Sequence, residues 1–182
     1  MNRAEANHRS MAALTAADHS QGDLNAELSL LEYGDYECSA CIQAEPLTQH
    51  LVATFGKRMR FVFRHFPQIE VHPHAQLAAE ASEAAAAQGK FWPIHHLLFT
   101  QPRHLDAAAL ARAAESTGLD MVRFRAEMAD RIYTQRVQEH RRAGETGGVR
   151  ATPAFFLNGA AVDVSFEFER LEAAIHTALA RR

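Results

Sequence analysis

Cys38 and Cys41 are the residues of this sequence whose type and spacing most directly suggest chemistry. They are the only two cysteines among 182 residues, and two residues separate them. Residues three apart in a helix have Cα atoms roughly 5 Å apart, which lies within the range of about 4.4 to 6.8 Å that a disulfide requires. The pair can therefore open and close as a reversible disulfide.

The two sulfurs are expected to play different roles. A cysteine at the start of a helix lies beside free backbone N–H groups and the positive end of the helix dipole, and both stabilise a thiolate. The sequence therefore predicts that Cys38 is the nucleophile. Cys41, one turn further into the helix, is predicted to be the resolving thiol.

The same spacing also forms half of many structural zinc sites, which need four Cys or His ligands. No second Cys-x-x-Cys and no His pair with zinc-finger spacing follows, and only His72 with His74, or His95 with His96, could complete such a site. We therefore expect no metal and no cofactor. Structurally inert cysteines are a further alternative.

Length and composition are those of an ordinary globular protein of one domain, with 47% hydrophobic and 23% charged residues. A net charge of -3 and the lack of a basic block argue against a nucleic-acid partner. No apolar run approaches the length of a membrane span or has the form of a signal peptide. The expected location is the cytoplasm, where an isolated cysteine pair is better explained by redox activity than by a structural disulfide.

The pattern of apolar residues places this pair directly after a strand. The segment from Leu28 to Tyr36 predicts a short buried strand, and a helix is predicted to begin at Cys38 and end at Gly56. Met59 to Phe66 alternates as a second strand should, and Pro67 ends it. Residues 1–26 are predicted to be a flexible extension, with one short helix around Met11 to Ala17.

Helices dominate the next part of the chain, and a hairpin follows. Residues 68–148 are predicted to form a helical subdomain, whose helices cover 75–87, the segment around 91–98, 105–115, 120–128 and 131–142. Strands Ala154 to Leu157 and Ala160 to Val164 are joined by an Asn-Gly turn. Ser165 is predicted to cap a last amphipathic helix.

Four strings carry a family resemblance: LLEYGDYECSAC, FVFRHFP followed by HPHA, GKFWPIHHLLF, and ATPAFFLNG. With the order of elements, they resemble the DsbA-like thiol-disulfide oxidoreductases over residues 28–180. The resemblance implies an α/β thioredoxin fold with an inserted helical subdomain. Residues 27–67 and 149–182 would form the thioredoxin-like domain, and residues 68–148 the insertion.

The resemblance also implies three further site residues. Pro153 matches the family's cis-proline, and Thr152 before it would offer backbone hydrogen bonds to an extended substrate. Glu32 matches a buried acid that exchanges a proton with Cys41. The alternatives are a trans proline that begins a strand and a solvated glutamate at a sheet edge.

The implied function is thiol-disulfide exchange with protein substrates that bear thiols or disulfides, coupled to a redox partner such as glutathione or thioredoxin. Ser39 and Ala40 depart from the family, whose members commonly have Pro followed by His or an aromatic residue between the cysteines. Without that His we expect a less oxidising pair than in the periplasmic members. A thioredoxin-like binding or metal-binding module and a glutathione-dependent isomerase are the alternative functions.

Overall fold

The computed structural model describes residues 13–100, 105–164 and 167–181. Its strands are β1 (His19–Gln21), β2 (Leu28–Gly34), β3 (Met59–His65), β4 (Ala154–Leu157) and β5 (Ala160–Val162). Its helices are α1 (Ser39–Phe55), α2 (Ala75–Ala86), α3 (Phe91–Thr100), α4 (Ala107–Ser116), α5 (Met121–Ala129), α6 (Thr134–Thr146) and α7 (Glu169–Ala180).

The five strands form one sheet in the order β1-β3-β2-β4-β5. The central strands β2 and β3 run parallel, with Leu30 opposite Phe61, and α1 connects them. β4 is antiparallel to β2, β5 is antiparallel to β4, and β1 is antiparallel to β3 at the opposite edge. The carboxyl end of β2 therefore leads directly into the loop that carries Cys38.

Alternation along β2 divides its side chains between two cores, because successive strand residues face opposite sides of a sheet. Leu28 and Leu30 belong to the larger core, which also contains both cysteines and apolar residues of α1, α3 and α7. Leu31 and Tyr33 belong to a smaller core on the other face, with Phe66 and Phe156. Both faces of β2 are thus buried.

Five helices, α2 to α6, lie between β3 and β4, and the alanine-rich α2 is central among them. It contacts α3, α4, α5 and α6, and its alanines are almost entirely buried. Small side chains let neighbouring helices approach closely while keeping a good helix former in place. α6 also packs on β3, and a Cβ at Gly144 would lie 2.7 Å from a ring carbon of Phe66.

The structure confirms the predicted fold class, an α/β thioredoxin fold with inserted helices. The helix predicted to begin at Cys38 has that residue as its N-cap and Gly56 as its C-cap. Within the helical subdomain, the helix predicted over 131–142 is displaced along the chain. The observed helix α6 begins at Thr134, because Arg131 has a positive φ of 53°. The Ser165 cap lies outside the described residues.

The prediction for residues 1–26 is wrong over the part that the structure describes. His19–Gln21 forms the edge strand β1 rather than a flexible extension, and residues 13–17 contain no helix. The reason is a tertiary ion pair: Arg64 on β3 donates to Asp18 at 2.7 and 2.9 Å, and both side chains are buried. A three-residue polar strand has no pattern of its own that would reveal it.

No helix in the described part of the chain combines the length and the apolar character needed to cross a membrane.

Candidate active site

The loop between β2 and α1 positions Cys38 at the start of the helix. The backbone N–H of Cys38 donates to the carbonyl oxygen of Asp35 at 3.1 Å, and the carbonyl oxygen of Cys38 accepts from Ile42 at 3.0 Å. Cys38 itself has an extended conformation, φ −74° and ψ 119°, as N-cap residues usually do. Its side chain therefore lies where the first N–H groups of α1 are unpaired.

The two thiols differ in access to solvent. Both are free cysteines, but Cys38 is 8% exposed and Cys41 is completely buried. The Cys38 sulfur lies 3.3 Å from the carbonyl oxygen of Thr152, to which its thiol form donates. Only Cys38 can therefore be reached by a substrate sulfur without opening the core.

The electrostatic environment separates the two cysteines further. A hydrogen bond from the Cys41 thiol lowers the pKa of Cys38 to about 5 against the opposing effect of burial. The Thr152 side chain and the backbone N–H groups of Ala40 and Cys41 add to this lowering. Burial raises the pKa of Cys41 well above its usual value, and its hydrogen bond to Cys38 and the charge of Glu32 act in the same direction. At neutral pH the site holds one thiolate and one thiol.

Glu32 lies in the larger core, behind the cysteines. Its residue exposure is 3%, so the alternative of a solvated glutamate at a sheet edge is wrong. Burial raises the pKa of Glu32 well above its usual range, and the charges of Glu45 and Cys38 raise it further. A carboxyl group that is protonated in this position can exchange a proton with a neighbouring thiol. That role stays a prediction.

The loop before β4 brings Thr152 and Pro153 to the cysteines. The Thr152–Pro153 peptide bond is cis. The hydroxyl of Thr152 donates to Oε1 of Gln68 at 2.9 Å, and the backbone N–H of Gln68 donates to Asp35 at 2.8 Å. The proline loop and the loop before Cys38 are therefore joined through one glutamine, and sequence reasoning did not identify Gln68.

Two acidic residues beside Cys38 are paired with histidines that sequence reasoning considered only as zinc ligands. His72 Nδ1 donates to Oδ2 of Asp35 at 2.8 Å, and His74 Nδ1 donates to Oε1 of Glu37 at 3.0 Å. The hydrogen bond to Asp35 raises the pKa of His72 against the effect of burial, and the charge of Cys38 raises it as well. A histidine distant in sequence thus interacts electrostatically with the thiolate, although none lies between the cysteines.

A cleft of about 550 Å³ opens beside this site. Its walls come from the start of α1, the proline loop, and the β4–β5 hairpin, and most of them are apolar. Its lining residues include Ala40, Gln43, Thr152, Pro153, Phe155 and Val162. An extended peptide segment with apolar side chains fits such a surface.

The family model described as thioredoxin matches residues 14–177, and the chain belongs to this family. Its fold is that of the DsbA-like thiol-disulfide oxidoreductases, a class of enzymes that carries a helical insertion in the thioredoxin fold. The family and fold predicted from the sequence resemblance are therefore confirmed.

Solved structures show the same fold. Oxidised BdbD from Bacillus subtilis matches with a TM-score of 0.80 and 20% identity, covering 90% of this chain and 93% of that one. A thioredoxin-like oxidoreductase from Silicibacter pomeroyi matches with a TM-score of 0.79 and 25% identity, covering 90% and 92%. The protein alpha-DsbA1 from Wolbachia pipientis matches with a TM-score of 0.77 and 20% identity, covering 92% of this chain and 94% of that one.

Curated relatives are more similar in sequence but much longer. The chain is 42% identical over 163 residues to the Na(+)/H(+) antiporter NhaA 3 of Salinispora tropica, which covers 90% of this chain and 25% of the relative. It is 38% identical over 158 residues to the Na(+)/H(+) antiporter NhaA of Herminiimonas arsenicoxydans, and the match covers 87% of this chain and 25% of that relative. The chain thus spans about a quarter of the length of these relatives.

Proposed function

We propose that this protein exchanges disulfides with protein substrates, with Cys38 as the nucleophile and Cys41 as the resolving thiol. The observation that carries the proposal is the contrast between the two sulfurs. The pKa of Cys38 is lowered to about 5 at the rim of the site, whereas that of the buried Cys41 is raised well above its usual value. A thiolate attacks disulfides and a thiol does not.

The reaction has two balanced steps. The Cys38 thiolate attacks one sulfur of a substrate disulfide, forms a mixed disulfide, and releases the other substrate sulfur as a thiolate. Formation of the mixed disulfide removes the charge of Cys38, one of the causes of the raised pKa of Glu32, so that Glu32 can release its proton to solvent. Cys41 then transfers its own proton to the ionised Glu32 and attacks the Cys38 sulfur, which forms the Cys38–Cys41 disulfide and releases the second substrate thiolate. The substrate is reduced by two electrons, and the protein is oxidised by two. In the opposite direction the same steps oxidise a substrate dithiol.

The lowered pKa of Cys38 supports an expectation for the reduction potential of the pair. Stabilising the thiolate stabilises the reduced protein and makes its disulfide more oxidising. A pKa of about 5 lies between the values of about 7 for thioredoxin and about 3.5 for DsbA. We therefore expect a reduction potential between about −270 and −120 mV, less oxidising than the second value.

Substrates would dock in the cleft beside Pro153. The backbone of Thr152 would pair with an extended segment around the substrate cysteine, in the manner of an added β-strand. The apolar walls formed by Ala40, Phe155 and Val162 favour unfolded or exposed apolar segments over polar ones. Glutathione or thioredoxin would return the pair to its starting state.

The cytoplasm is the location that we propose for this exchange. Na(+)/H(+) antiporters are membrane proteins, and the names of the curated relatives make a membrane transporter the alternative partner. A Cys41→Ser protein expressed in cells would accumulate its partner as a mixed disulfide. Recovery of that species from the soluble fraction would support the cytoplasmic site, and recovery with the membranes would support the transporter.

The proposal is tested with insulin or a fluorescent disulfide peptide as substrate. Cys38→Ser should abolish turnover, and Cys41→Ser should trap a mixed species that a thiol reductant releases. Equilibration of the wild-type protein with glutathione buffers of graded ratio gives the reduction potential in the same preparation. Full activity in both variants would exclude the mechanism, and a potential near −120 mV would contradict the expected position on the scale.

A further inference from the structure

A second cluster of titratable side chains lies one helical turn beyond Cys41. Glu45 projects from α1, and His95 and His96 project from α3. The ligand atoms of these three residues all lie within 4.8 Å of one another. The thiol chemistry proposed above does not use any of the three directly.

The distances within the cluster are close to those of a metal site. His96 Nδ1 lies 2.6 Å from Oε1 of Glu45, and His95 Nε2 lies 3.5 Å from Oε2. Tetrahedral ligands at about 2.0 Å from a zinc ion stand roughly 3.3 Å from one another. The two separations from Glu45 lie on either side of this value, and the two histidine nitrogens lie within 4.8 Å of each other.

His95 supplies the observation that a simple ion pair does not explain. Its residue exposure is 1%, and among the described residues its Nε2 has no hydrogen-bond partner. The 3.5 Å separation from Glu45 leaves that nitrogen pointing at a carboxylate without bonding to it. A buried polar atom without a hydrogen-bond partner destabilises the folded state unless another group binds to it.

The surroundings of His95 resemble those of a metal-bound imidazole. Its other nitrogen, Nδ1, lies 3.0 Å from the hydroxyl of Tyr36, a contact of the kind that orients ligating histidines. His96 is partly exposed and provides a path from solvent.

We propose that Glu45, His95 and His96 form a binding site for a divalent transition metal ion, with Zn²⁺ as the best match. Two imidazoles and one carboxylate are a ligand set that zinc accepts, with the fourth position open to water. Gln49 Nε2, now 2.7 Å from Oε1 of Glu45, would support the carboxylate from outside.

A similar trio elsewhere in the molecule fits a metal less well. His19, His65 and Glu83 also bring their ligand atoms within 4.8 Å of one another. There Glu83 accepts from both histidines at 2.8 and 2.9 Å, and Arg136 donates to its second oxygen at 2.8 Å. The guanidinium bound to this carboxylate would repel a dication.

The test uses the full chain with Cys38→Ser and Cys41→Ser, so that no thiolate can bind metal and the result does not depend on disulfide exchange. Zn²⁺ binding is measured by titration calorimetry, and Co²⁺ serves as a spectroscopic probe through its visible absorption. We expect one ion per chain. His96→Gln, at a partly exposed position that should tolerate the change, should weaken binding by at least about tenfold.

His19→Gln, in the second trio, and His176→Gln, at an exposed position on α7, are the matched controls and should bind as the parent chain does. Failure of the parent chain to bind either ion would overturn the proposal. So would an unchanged affinity in His96→Gln, or a loss of binding in His19→Gln, because each would place the ion elsewhere.

Discussion

Glu32 destabilises the fold at neutral pH, and the same residue is proposed to take part in proton transfer. Its pKa is raised by burial, so the folded protein holds a proton there that the unfolded chain has already released at neutral pH. The native state then binds more protons than the unfolded state, and the free energy of unfolding falls as pH rises from the unfolded pKa toward the folded one. The group thus destabilises the fold at the pH where its proton transfer would be useful.

Replacement of Glu32 by Gln should therefore separate stability from activity. We expect Glu32→Gln to unfold at higher denaturant concentration than the parent at pH 7.5, with the difference vanishing near pH 4, where both states of the parent are protonated. Resolution by Cys41 should slow by about 100-fold or more, since the amide cannot take a proton. Denaturant unfolding at the two pH values and quenched-flow detection of the mixed disulfide provide the measurements.

Glu37→Gln is the matched control for this experiment, because Glu37 lies beside Cys38 in the sequence but is paired with His74 outside the larger core. It should show neither the gain of stability nor the slow resolution. Equal rates of resolution in Glu32→Gln and the parent would remove Glu32 from the proton path.

Thr152 acts on the Cys38 thiolate through its side chain. Its hydroxyl has one proton, which it donates to Gln68 or, when Cys38 is ionised, to the thiolate, and this side chain is among the contacts that lower the pKa of Cys38 to about 5. Thr152→Val keeps the branched shape and removes the donor, so the midpoint of Cys38 ionisation should rise by about half to one unit, which corresponds to a net bond of about 1 kcal/mol. The rate of alkylation by iodoacetamide between pH 3 and 9 gives this midpoint directly. An unchanged midpoint would mean that the Thr152 hydroxyl donates only to Gln68 and does not stabilise the thiolate.

At the scale of elements, strand β1 depends on one buried ion pair. Burial alone would raise the pKa of Asp18, but the Arg64 guanidinium lowers it on balance, so the pair is charged at neutral pH. Asp18→Asn should destabilise the protein by about 3 kcal/mol, because it leaves the buried guanidinium without its carboxylate. Denaturant unfolding measures the loss. Glu27→Gln, which removes the partner of the exposed Arg58, should cost less than about 1 kcal/mol.

A loss for Asp18→Asn no larger than that for Glu27→Gln would show that β1 is not anchored through Arg64. Amide hydrogen exchange in residues 19–21 distinguishes the two outcomes further. An anchored strand protects these amides in the parent chain and loses protection in the variant.

Elements that carry their own pattern could be predicted from the sequence. The apolar run of β2, the alternation of β3 and the Asn-Gly turn at 158–159 each specify local structure, and these elements formed where expected. β1 could not be predicted, because its three residues are held by pairing with a strand about 40 positions later. The same limit applies to the active site. The redox role of the two cysteines could be predicted from their spacing, but Gln68 and His72 come close to them only when the chain folds.

On the scale of the whole molecule, the redox state of one pair should change global stability. In the reduced protein the pKa of Cys38 is lowered from 9.0 to about 5 by folding. A lowered folded pKa contributes stability that is present above the unfolded pKa and is lost as pH falls through the folded one. The oxidised protein has no ionisable thiol, so its free energy of unfolding lacks this contribution. Groups that do not interact with Cys38 contribute equally to both forms and cancel in the difference, whereas the charge of Cys38 raises the pKa of Glu32 in the reduced form only.

The free energy of unfolding of the reduced protein should therefore rise relative to that of the oxidised protein between pH 5 and about 8.5, by up to about 1.4 kcal/mol per pH unit. Above that range the raised pKa of Cys41 opposes any further gain. Denaturant unfolding of both forms at pH 5, 6, 7 and 8 measures the difference, with reduced Cys38→Ser as the control that should lack the slope. If the two curves of the parent protein run parallel, folding does not stabilise the Cys38 thiolate, and the driving force assigned to the exchange reaction is absent.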